Sequence, residues 1–211
     1  MDKAIIFDVD GVIVTGDTAR FDFLKKSYEK VGLTLDDTLF PKIIGVTFKN
    51  FLSQTEINPD KKAVLLDMFQ KEYLDKITEH VSPINTTINF IKNYSGPKKL
   101  AIASNGFQNV NETLTKKFGI YEKLSAIVSN EKVEHPKPHP DIYLKTAKIL
   151  GVDPLNCIAV EDSVVGAQAA ISANMSCYIF LNSQNKKGDF LDMPISGFLE
   201  SNEDLNKIGI L

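Results

Sequence analysis

Short apolar runs alternate with helical patterns over most of this chain. The first run, Ala4–Phe7, is rich in strand-forming residues and predicts a strand covered on both faces. Four further short apolar runs lie at residues 99–103, 126–128, 157–160 and 177–181. Strands that alternate with helices are typical of an α/β protein, so we predict a doubly wound parallel sheet.

Apolar residues at helical spacing fill the segments between the later strands. The helices predicted there cover residues 82–94, 110–118, 140–150 and the stretch around 167–171. Ser82 and Pro83 are expected to open the first of them, and glycines end two of the others.

The segment after the first strand has a different character, because it lacks strand patterns. Apolar residues recur at helical spacing over residues 19–31, with Asp17 or Thr18 as the expected N-cap and Gly32 at the end. Further helices are predicted at residues 48–52 and after Asn58, which precedes a proline.

A helical insert of this size predicts two domains. We expect residues 1–14 and 82–211 to form the core, and residues 15–81 to form a helical cap that closes over the strand ends.

Polar residues directly follow three of the predicted strands. They are Asp8 with Asp10, Ser104 with Asn105, and Glu161 with Asp162. Ligands bind beyond the carboxyl ends of strands in an open parallel sheet, so these side chains are expected to converge. The i, i+2 spacing of the first pair aims both carboxylates the same way, and their repulsion favours a bound cation. Asp and Gly are also ordinary turn residues, but turn chemistry alone does not account for three such strand ends.

Composition and charge disfavour nucleic acid and membranes as binding partners. The 211 residues carry a net charge of −3 and a pI near 5.7, which gives no basic footprint for nucleic acid or an anionic membrane. No apolar run approaches the ~18 residues of a membrane span, and no signal pattern is visible. Cys157 and Cys177 lack C-x-x-C spacing and predict buried, reduced thiols. We expect a cytoplasmic monomer with a small-molecule partner, no nucleic acid and no membrane.

The polar strand ends suit phosphoryl transfer. A carboxylate can attack phosphorus and form an aspartyl phosphate. Mg²⁺ prefers a few oxygen ligands, which Asp8, the backbone carbonyl of Asp10 and the carboxylate of Asp162 could provide.

A transferring phosphate also needs hydrogen-bond donors. Ser104, the backbone N–H groups near Asn105 and a lysine could supply them. Lys137 is the best lysine, because three prolines around it would fix where its ammonium points.

At this point the chain resembles the phosphatases of the haloacid dehalogenase superfamily. Their four motifs occur in order, as Asp8-Val9-Asp10-Gly11, Ser104-Asn105, Lys137-Pro138 and Glu161-Asp162-Ser163. Residues 164–170 are also similar to the helix after the fourth motif in the β-phosphoglucomutase-like subgroup. The resemblance implies a Rossmannoid core with an inserted helical cap of the C1 type, and a phosphomonoester hydrolase.

The resemblance also implies roles for individual residues. Asp8 would be the nucleophile, and Asp10 the general acid and base. An acid two residues after the nucleophile protonates an alkoxide leaving group, whereas halide leaves without a proton. Asp10 therefore favours phosphoester chemistry over dehalogenation.

The remaining implied roles concern the phosphate and the metal. Lys137 and Ser104 would hold the phosphate, and Asp162 would complete the Mg²⁺ site with Glu161 beside it as a further ligand candidate.

A phosphosugar mutase of the β-phosphoglucomutase type is the nearest alternative. Residues 17–19 and 45–47 resemble mutase runs, but Phe48 stands where the mutases place an arginine that grips a second phosphate. A phenyl ring cannot replace a bidentate guanidinium. The lysines that might substitute for it, and so keep the mutase open, are Lys25, Lys26 and Lys49.

Two alternatives come from other classes. A phospho-acceptor signalling switch also uses an aspartate, a Ser or Thr and a lysine, but such domains are shorter and lack a cap. An inactive binding relative is disfavoured because every motif position is filled.

Overall fold

The computed structural model of the protein describes residues 3–43 and 46–210. The strands are β1 Ala4–Phe7, β2 Val14–Thr15, β3 Ser82–Pro83, β4 Lys99–Ser104, β5 Ala126–Ser129, β6 Cys157–Glu161, β7 Ser176–Phe180 and β8 Gly197–Leu199. Six of them form a parallel sheet in the order β5-β4-β1-β6-β7-β8. The chain builds outward from β1 first on one side and then on the other. The predicted α/β class and the parallel sheet are confirmed.

Helices connect these strands. They are α1 Asp17–Lys30, α2 Phe40–Ile43, α3 Phe48–Ser53, α4 Pro59–Met68, α5 Ile77–His80, α6 Asn85–Asn93, α7 Gln108–Lys117, α8 Asp141–Leu150, α9 Val164–Ser172 and α10 Asn202–Ile210. After α4 the chain continues helically through a π turn, Phe69–Tyr73, and a 3-10 turn, Leu74–Lys76. Asn58 caps α4 as predicted, since its side chain accepts from the backbone N–H of Asp60. In the described part of the chain, no helix is long and apolar enough to cross a membrane.

Strand β1 lies at the centre of the sheet because its residues are apolar on both faces. Ile5 and Phe7 belong to one hydrophobic cluster, whereas Ala4 and Ile6 belong to a second. This alternation follows from the two-residue period of a strand, and all four side chains are fully buried. Central placement brings the end of β1 between the ends of β4 and β6.

The start of α1 differs from the prediction. Gly16 is the N-cap and the helix begins at Asp17, so neither Asp17 nor Thr18 caps it. The carbonyl of Gly16 accepts from the backbone N–H of Arg20. Gly16 packs so closely on Val81 that a Cβ there would lie 2.6 Å from it, which favours glycine at the cap.

The prediction that Ser82 and Pro83 open a helix is wrong. These residues form β3, which pairs with β2 in an antiparallel ribbon, and α6 begins only at Asn85. The pairing joins residues about seventy positions apart, so the local pattern could not reveal it. The ribbon lies at the two ends of the helical segment. The division into a cap of residues 15–81 and a core remains a prediction.

Residues 182–210 contribute a strand and a helix to the core. Strand β8 extends the sheet beside β7, and Leu205 and Ile208 of α10 are buried. The ammonium of Lys98 donates to the carbonyl of Gly209 at 2.7 Å and ties α10 to the start of β4. A three-residue strand is too short to show a period, so the sequence did not predict it.

Candidate active site

Three acidic side chains meet where β1 and β6 end. Asp8, Glu161 and Asp162 are buried, and each offers a carboxylate oxygen within 4.8 Å of the others. They lie at the point where the sheet order switches sides, the usual ligand position in an open α/β sheet. The predicted convergence of the strand ends is therefore observed for these residues.

Lys137 neutralises part of this acidic group. Its Nζ lies 2.8 Å from Oδ1 of Asp8 and 2.6 Å from Oε1 of Glu161, and it donates to the carbonyl of Ala103 at 2.8 Å. The lysine side chain is only 2% exposed. Burial by itself lowers the pKa of Lys137, but the charges of Asp8 and Glu161 outweigh it and raise that pKa above its ordinary value.

The surroundings of Asp8 disfavour its charged form. Burial raises the pKa of Asp8, Lys137 opposes the rise, and the nearby charges of Glu161 and Asp10 add to it; the net result is a pKa of about 7. Additional positive charge at this position would favour the carboxylate form of Asp8.

Glu161 is committed to its neighbours. One carboxylate oxygen accepts from both Lys137 and the hydroxyl of Tyr143. Burial raises the pKa of Tyr143, so its hydroxyl stays protonated and donates. Gly166 lies against the same carboxylate. A Cβ at this position would lie 2.0 Å from one of the carboxylate oxygens, so there is no room for a side chain. Glu161 thus holds Lys137 in place, and Tyr143 is a participant that the sequence reasoning missed.

The loop that carries Lys137 is anchored by Asn105. The Oδ1 of Asn105 accepts from the backbone N–H of Lys137 at 3.0 Å, and its amide donates to the Lys137 carbonyl at 3.3 Å. The side-chain amide of Asn130 donates to the carbonyl of Asn105 at 2.6 Å and so holds the backbone of Asn105 in position. The side chain of Asn105 therefore positions Lys137, and a role of its backbone in phosphate binding stays a prediction.

Ser104 closes the end of β4. It is 1% exposed, and its hydroxyl oxygen accepts from the backbone N–H of Gly106 at 2.9 Å. Asn105 and Gly106, which follow it, line the neighbouring cavity. Contact of Ser104 with a phosphate stays a prediction.

Two asparagines after β7 hold Asp162, and the sequence reasoning missed both. The amide of Asn182 donates to Oδ2 of Asp162 at 3.0 Å and to the carbonyl of Gly11 at 2.9 Å. The amide of Asn185 donates to the carbonyl of Asp162 at 2.7 Å. These residues follow a predicted strand just as the motif residues do, so the strand-end argument applied to 177–181 would have identified them.

Gly11 occupies the predicted sharp turn. Its φ of +76° lies in the left-handed region, and a Cβ at this position would lie 1.7 Å from Oδ2 of Asp162. Asp10, just before it, is partly exposed and lines the cavity beside Asp8.

The acidic group suits a hard cation. All of its side-chain ligand atoms are carboxylate oxygens, which Mg²⁺ and Ca²⁺ prefer. Softer metals prefer sulfur or imidazole ligands. Repulsion among the carboxylates is only partly relieved by the single ammonium of Lys137, so the residues fit a divalent metal.

A cavity of about 600 Å³ opens onto Asp8, Asp10, Lys137 and Asp162. Its other walls come from the helical segment of residues 16–77, from residues 105–114 and from residues 130–136, with Ser163 beside Asp162. This volume lies within the usual range for small-molecule sites, roughly 300–1,000 Å³.

Of the three lysines considered as substitutes for the mutase arginine, one lines the cavity. Lys49 lines the cavity, whereas Lys25 pairs with Asp37 at 2.6 Å and Lys26 is exposed. Arg20 also lines the cavity and donates to the carbonyl of Ile43 at 2.8 Å. Phe48 is buried and lines the cavity; Gly45 lies outside the described residues.

Comparison with known proteins agrees with this arrangement. The YhcW protein of Bacillus subtilis (strain 168), which carries a provisional phosphatase name, is 32% identical over 86% of this chain and 84% of its own length. The beta-phosphoglucomutase of the same organism is 31% identical over 82% of this chain and 80% of its own. Hexitol phosphatase B of Escherichia coli (strain K12) is 29% identical over the same shares of the two chains.

Solved structures share the fold. The beta-phosphoglucomutase from Clostridium difficile superposes with a TM-score of 0.78 at 24% identity and covers 100% of both chains. CbbY from Rhodobacter sphaeroides, solved in complex with phosphate, gives a TM-score of 0.81 at 22% identity over 97% of this chain and 96% of its own.

The family itself is shown by a family model described as Haloacid dehalogenase-like hydrolase, which matches residues 5–180. The match spans β1 to β7 and therefore includes all four motifs. The chain belongs to the haloacid dehalogenase-like hydrolase family, and the resemblance that its ordered motifs predicted is confirmed.

Proposed function

We propose that this protein is a Mg²⁺-dependent phosphatase that hydrolyses a small phosphorylated metabolite, such as a sugar phosphate, through an aspartyl phosphate on Asp8. The observation that carries the proposal is the contact of Asp8 with Lys137 at 2.8 Å, inside an acidic group that opens onto a cavity of substrate size. Relatives named as phosphatases support it.

The first step forms the aspartyl phosphate. A carboxylate oxygen of Asp8 bonds to phosphorus while the bond from phosphorus to the leaving oxygen breaks. Asp10, in its protonated form, donates a proton to that oxygen, so the product leaves as a neutral alcohol.

The second step restores the enzyme. Asp10, now a carboxylate, takes a proton from water, and the water oxygen bonds to phosphorus. The bond between phosphorus and Asp8 breaks and inorganic phosphate is released. In both steps Lys137, Ser104 and the backbone near Asn105 stabilise the charge on the phosphoryl oxygens.

Asp8, Asp162 and the backbone carbonyl of Asp10 would hold Mg²⁺. Glu161 is the further ligand candidate next to them, although its carboxylate already accepts from Lys137 and Tyr143. The bound metal supplies positive charge that draws the phosphoryl group and Asp8 together. Glu161 contributes by holding Lys137, and Asn182 contributes by orienting Asp162.

The setting of this activity is also inferred. Two buried free cysteines, Cys157 and Cys177, are typical of a reducing compartment, so we place the protein in the cytoplasm. We expect it to act as a monomer on a small phosphorylated molecule.

Phosphate release from an aryl phosphate tests the proposal. We expect turnover with Mg²⁺, its loss on chelation and its loss in Asp8→Asn. Stoichiometric phosphorylation of Asp8 without turnover would instead support a signalling switch. No phosphorylation and no turnover with any phosphoester would support an inactive binding relative.

A phosphosugar mutase is the second candidate, favoured by the 31% identity to a beta-phosphoglucomutase and by Lys49 on the cavity wall. Phe48 in place of the arginine weighs against it. A coupled assay for glucose 1-phosphate isomerisation separates the two. Isomerisation as fast as phosphate release from any substrate would identify a mutase.

A further inference from the structure

We propose that the preferred substrate is a phosphomonoester whose alcohol carries an extended apolar group, either an aromatic ring or an alkyl chain of several carbons. This inference rests on the proposed phosphatase function. It narrows the substrate class from small phosphorylated metabolites in general, sugar phosphates included, to those with an apolar alcohol. It follows from the apolar residues that line the same cavity as Asp8.

Apolar side chains form that wall. They come from the helical segment and from the turn before α7, and they are Phe48, Leu66, Phe69, Leu74, Ile77 and Phe107. Phe48, Phe69 and Ile77 are buried, and the other three are partly buried. The apolar surface is continuous with the phosphate end of the site, because the same cavity includes Asp8 and Lys137. The cavity therefore has room along this surface for a leaving group attached to the phosphorus.

Phe48 belongs to a cluster of aromatic rings that lines the cavity. Its ring centroid lies 4.8 Å from that of Phe69, which in turn lies 5.1 Å from that of Tyr73 in a stacked arrangement. These three rings line the cavity and give it an apolar surface for a flat or flexible group. Against these rings a second phosphate or a set of sugar hydroxyls would lose its hydrogen bonds to water.

The helical segment also contributes polar side chains to the cavity. Thr47 and Asn50 are half-buried, and the hydroxyl oxygen of Thr47 already accepts from the backbone N–H of Asn50. Lys49 and Gln70 line the cavity but are exposed, so they lie at its solvent-facing rim. The guanidinium of Arg20 already donates to the carbonyl of Ile43 at 2.8 Å, which connects α1 to the end of α2. The buried side chains that the helical segment contributes to the cavity are thus aromatic or aliphatic, and its polar side chains are half-buried or exposed. This arrangement suits an amphiphilic phosphate.

A series of n-alkyl phosphates tests the inference, because ethyl, butyl and hexyl phosphate have leaving groups of similar intrinsic reactivity. Each fully buried methylene contributes about 0.8 kcal/mol, which corresponds to about fourfold in kcat/KM. Allowing for incomplete burial, we expect kcat/KM to rise at least about tenfold from ethyl to hexyl phosphate. Hexyl phosphate should also be a better substrate than glucose 6-phosphate.

A matched pair of variants localises the effect. Leu66→Gln places an amide of similar size in the apolar wall and should flatten the rise with chain length. Leu144→Gln makes the same change on α8, where Leu144 is 41% exposed and lies outside the cavity, and should leave the series unchanged. Circular dichroism spectra of both variants establish that they fold.

The outcomes separate this inference from the function on which it rests. Mg²⁺-dependent turnover of all three alkyl phosphates with equal kcat/KM, or a preference for glucose 6-phosphate over hexyl phosphate, would overturn the apolar substrate class and leave the phosphatase intact. A rise that persists in Leu66→Gln would overturn the assignment to this wall. Absence of phosphate release from alkyl, sugar and aryl phosphates alike would overturn the phosphatase proposal itself.

Discussion

The side-chain amide of Asn182 lies 3.0 Å from Oδ2 of Asp162 and donates a hydrogen bond to it. The same amide donates to the carbonyl of Gly11, so one residue after β7 joins the turn after β1 to the turn after β6. Asn182 thereby fixes the carboxylate that we propose as a metal ligand. Residues of this kind orient ligands without touching the metal.

Replacing Asn182 with alanine should weaken Mg²⁺ binding. Loss of a group that orients a ligand typically lowers metal affinity about 10–100-fold. We therefore expect the Mg²⁺ concentration for half-maximal activity to rise by that factor, while activity at saturating Mg²⁺ stays close to that of the original protein. Asn202→Ala, at an exposed position at the start of α10, provides the control. An unchanged Mg²⁺ dependence in Asn182→Ala would show that Asp162 does not need this support.

Gly11 and Gly32 form a matched pair for testing the turn after β1. Both have φ near +70°, at +76° and +69°, but only Gly11 has Asp162 within reach of an added Cβ. Alanine at either position should lower the free energy of unfolding by about 1–2 kcal/mol because of the left-handed backbone. Gly11→Ala should in addition displace Asp162 and abolish Mg²⁺-dependent activity. Equal activity in the two variants, measured alongside chemical denaturation, would contradict the proposed metal site.

Removing the ammonium of Lys137 should affect both stability and activity. Lys137→Met leaves the carboxylates of Asp8 and Glu161 buried without their cation, which typically lowers the free energy of unfolding by about 3–5 kcal/mol. Because Lys137 opposes the rise in the pKa of Asp8, its loss should also leave Asp8 protonated more often and lower kcat by about 100-fold or more.

Lys132→Met is the control for this change, since Lys132 is exposed and its substitution should alter stability by no more than about 0.5 kcal/mol. Urea denaturation and initial rates check both effects. Full activity in Lys137→Met would remove Lys137 from the mechanism.

The two cysteines should be inert in the folded protein. Burial raises the pKa of Cys157 from 9.0 to about 11 and also raises the pKa of Cys177. The thiolate is the reactive form, so alkylation near neutral pH should neither label the native protein nor inhibit it. Denaturation should expose both thiols to the same reagent. The folded state holds the thiol protons more tightly than the unfolded state does. The free energy of unfolding should therefore fall as the pH rises above the ordinary thiol pKa. Rapid labelling of the native protein would contradict the burial of both groups.

Much of this architecture could be predicted from local patterns. The runs that became β1, β4, β5, β6 and β7 are short, apolar and bounded by turn residues, and each was predicted to within two residues. The convergence of Asp8, Glu161 and Asp162 followed from the rule that parallel strands end at one edge.

Features that depend on distant partners could not be predicted in this way. The ribbon of β2 with β3 and the short strand β8 exist only because of pairing with remote backbone. Tyr143 is an ordinary core residue by pattern, and only the structure shows its hydroxyl on Glu161. The side-chain contacts of Asn105 with the backbone of Lys137 were equally hidden from the sequence.

The central claim is that Asp8 attacks phosphorus, and chemical trapping of the intermediate tests it most directly. Borohydride reduces an acyl phosphate to an alcohol, whereas a free carboxylate resists it. We predict that treatment during turnover with Mg²⁺ and an aryl phosphate converts the carboxyl group of Asp8 to a hydroxymethyl group, detected by mass spectrometry of its peptide, and that omission of substrate prevents this. Sustained turnover in an Asp8→Asn variant, or reduction at another residue with Asp8 unmodified, would contradict the account.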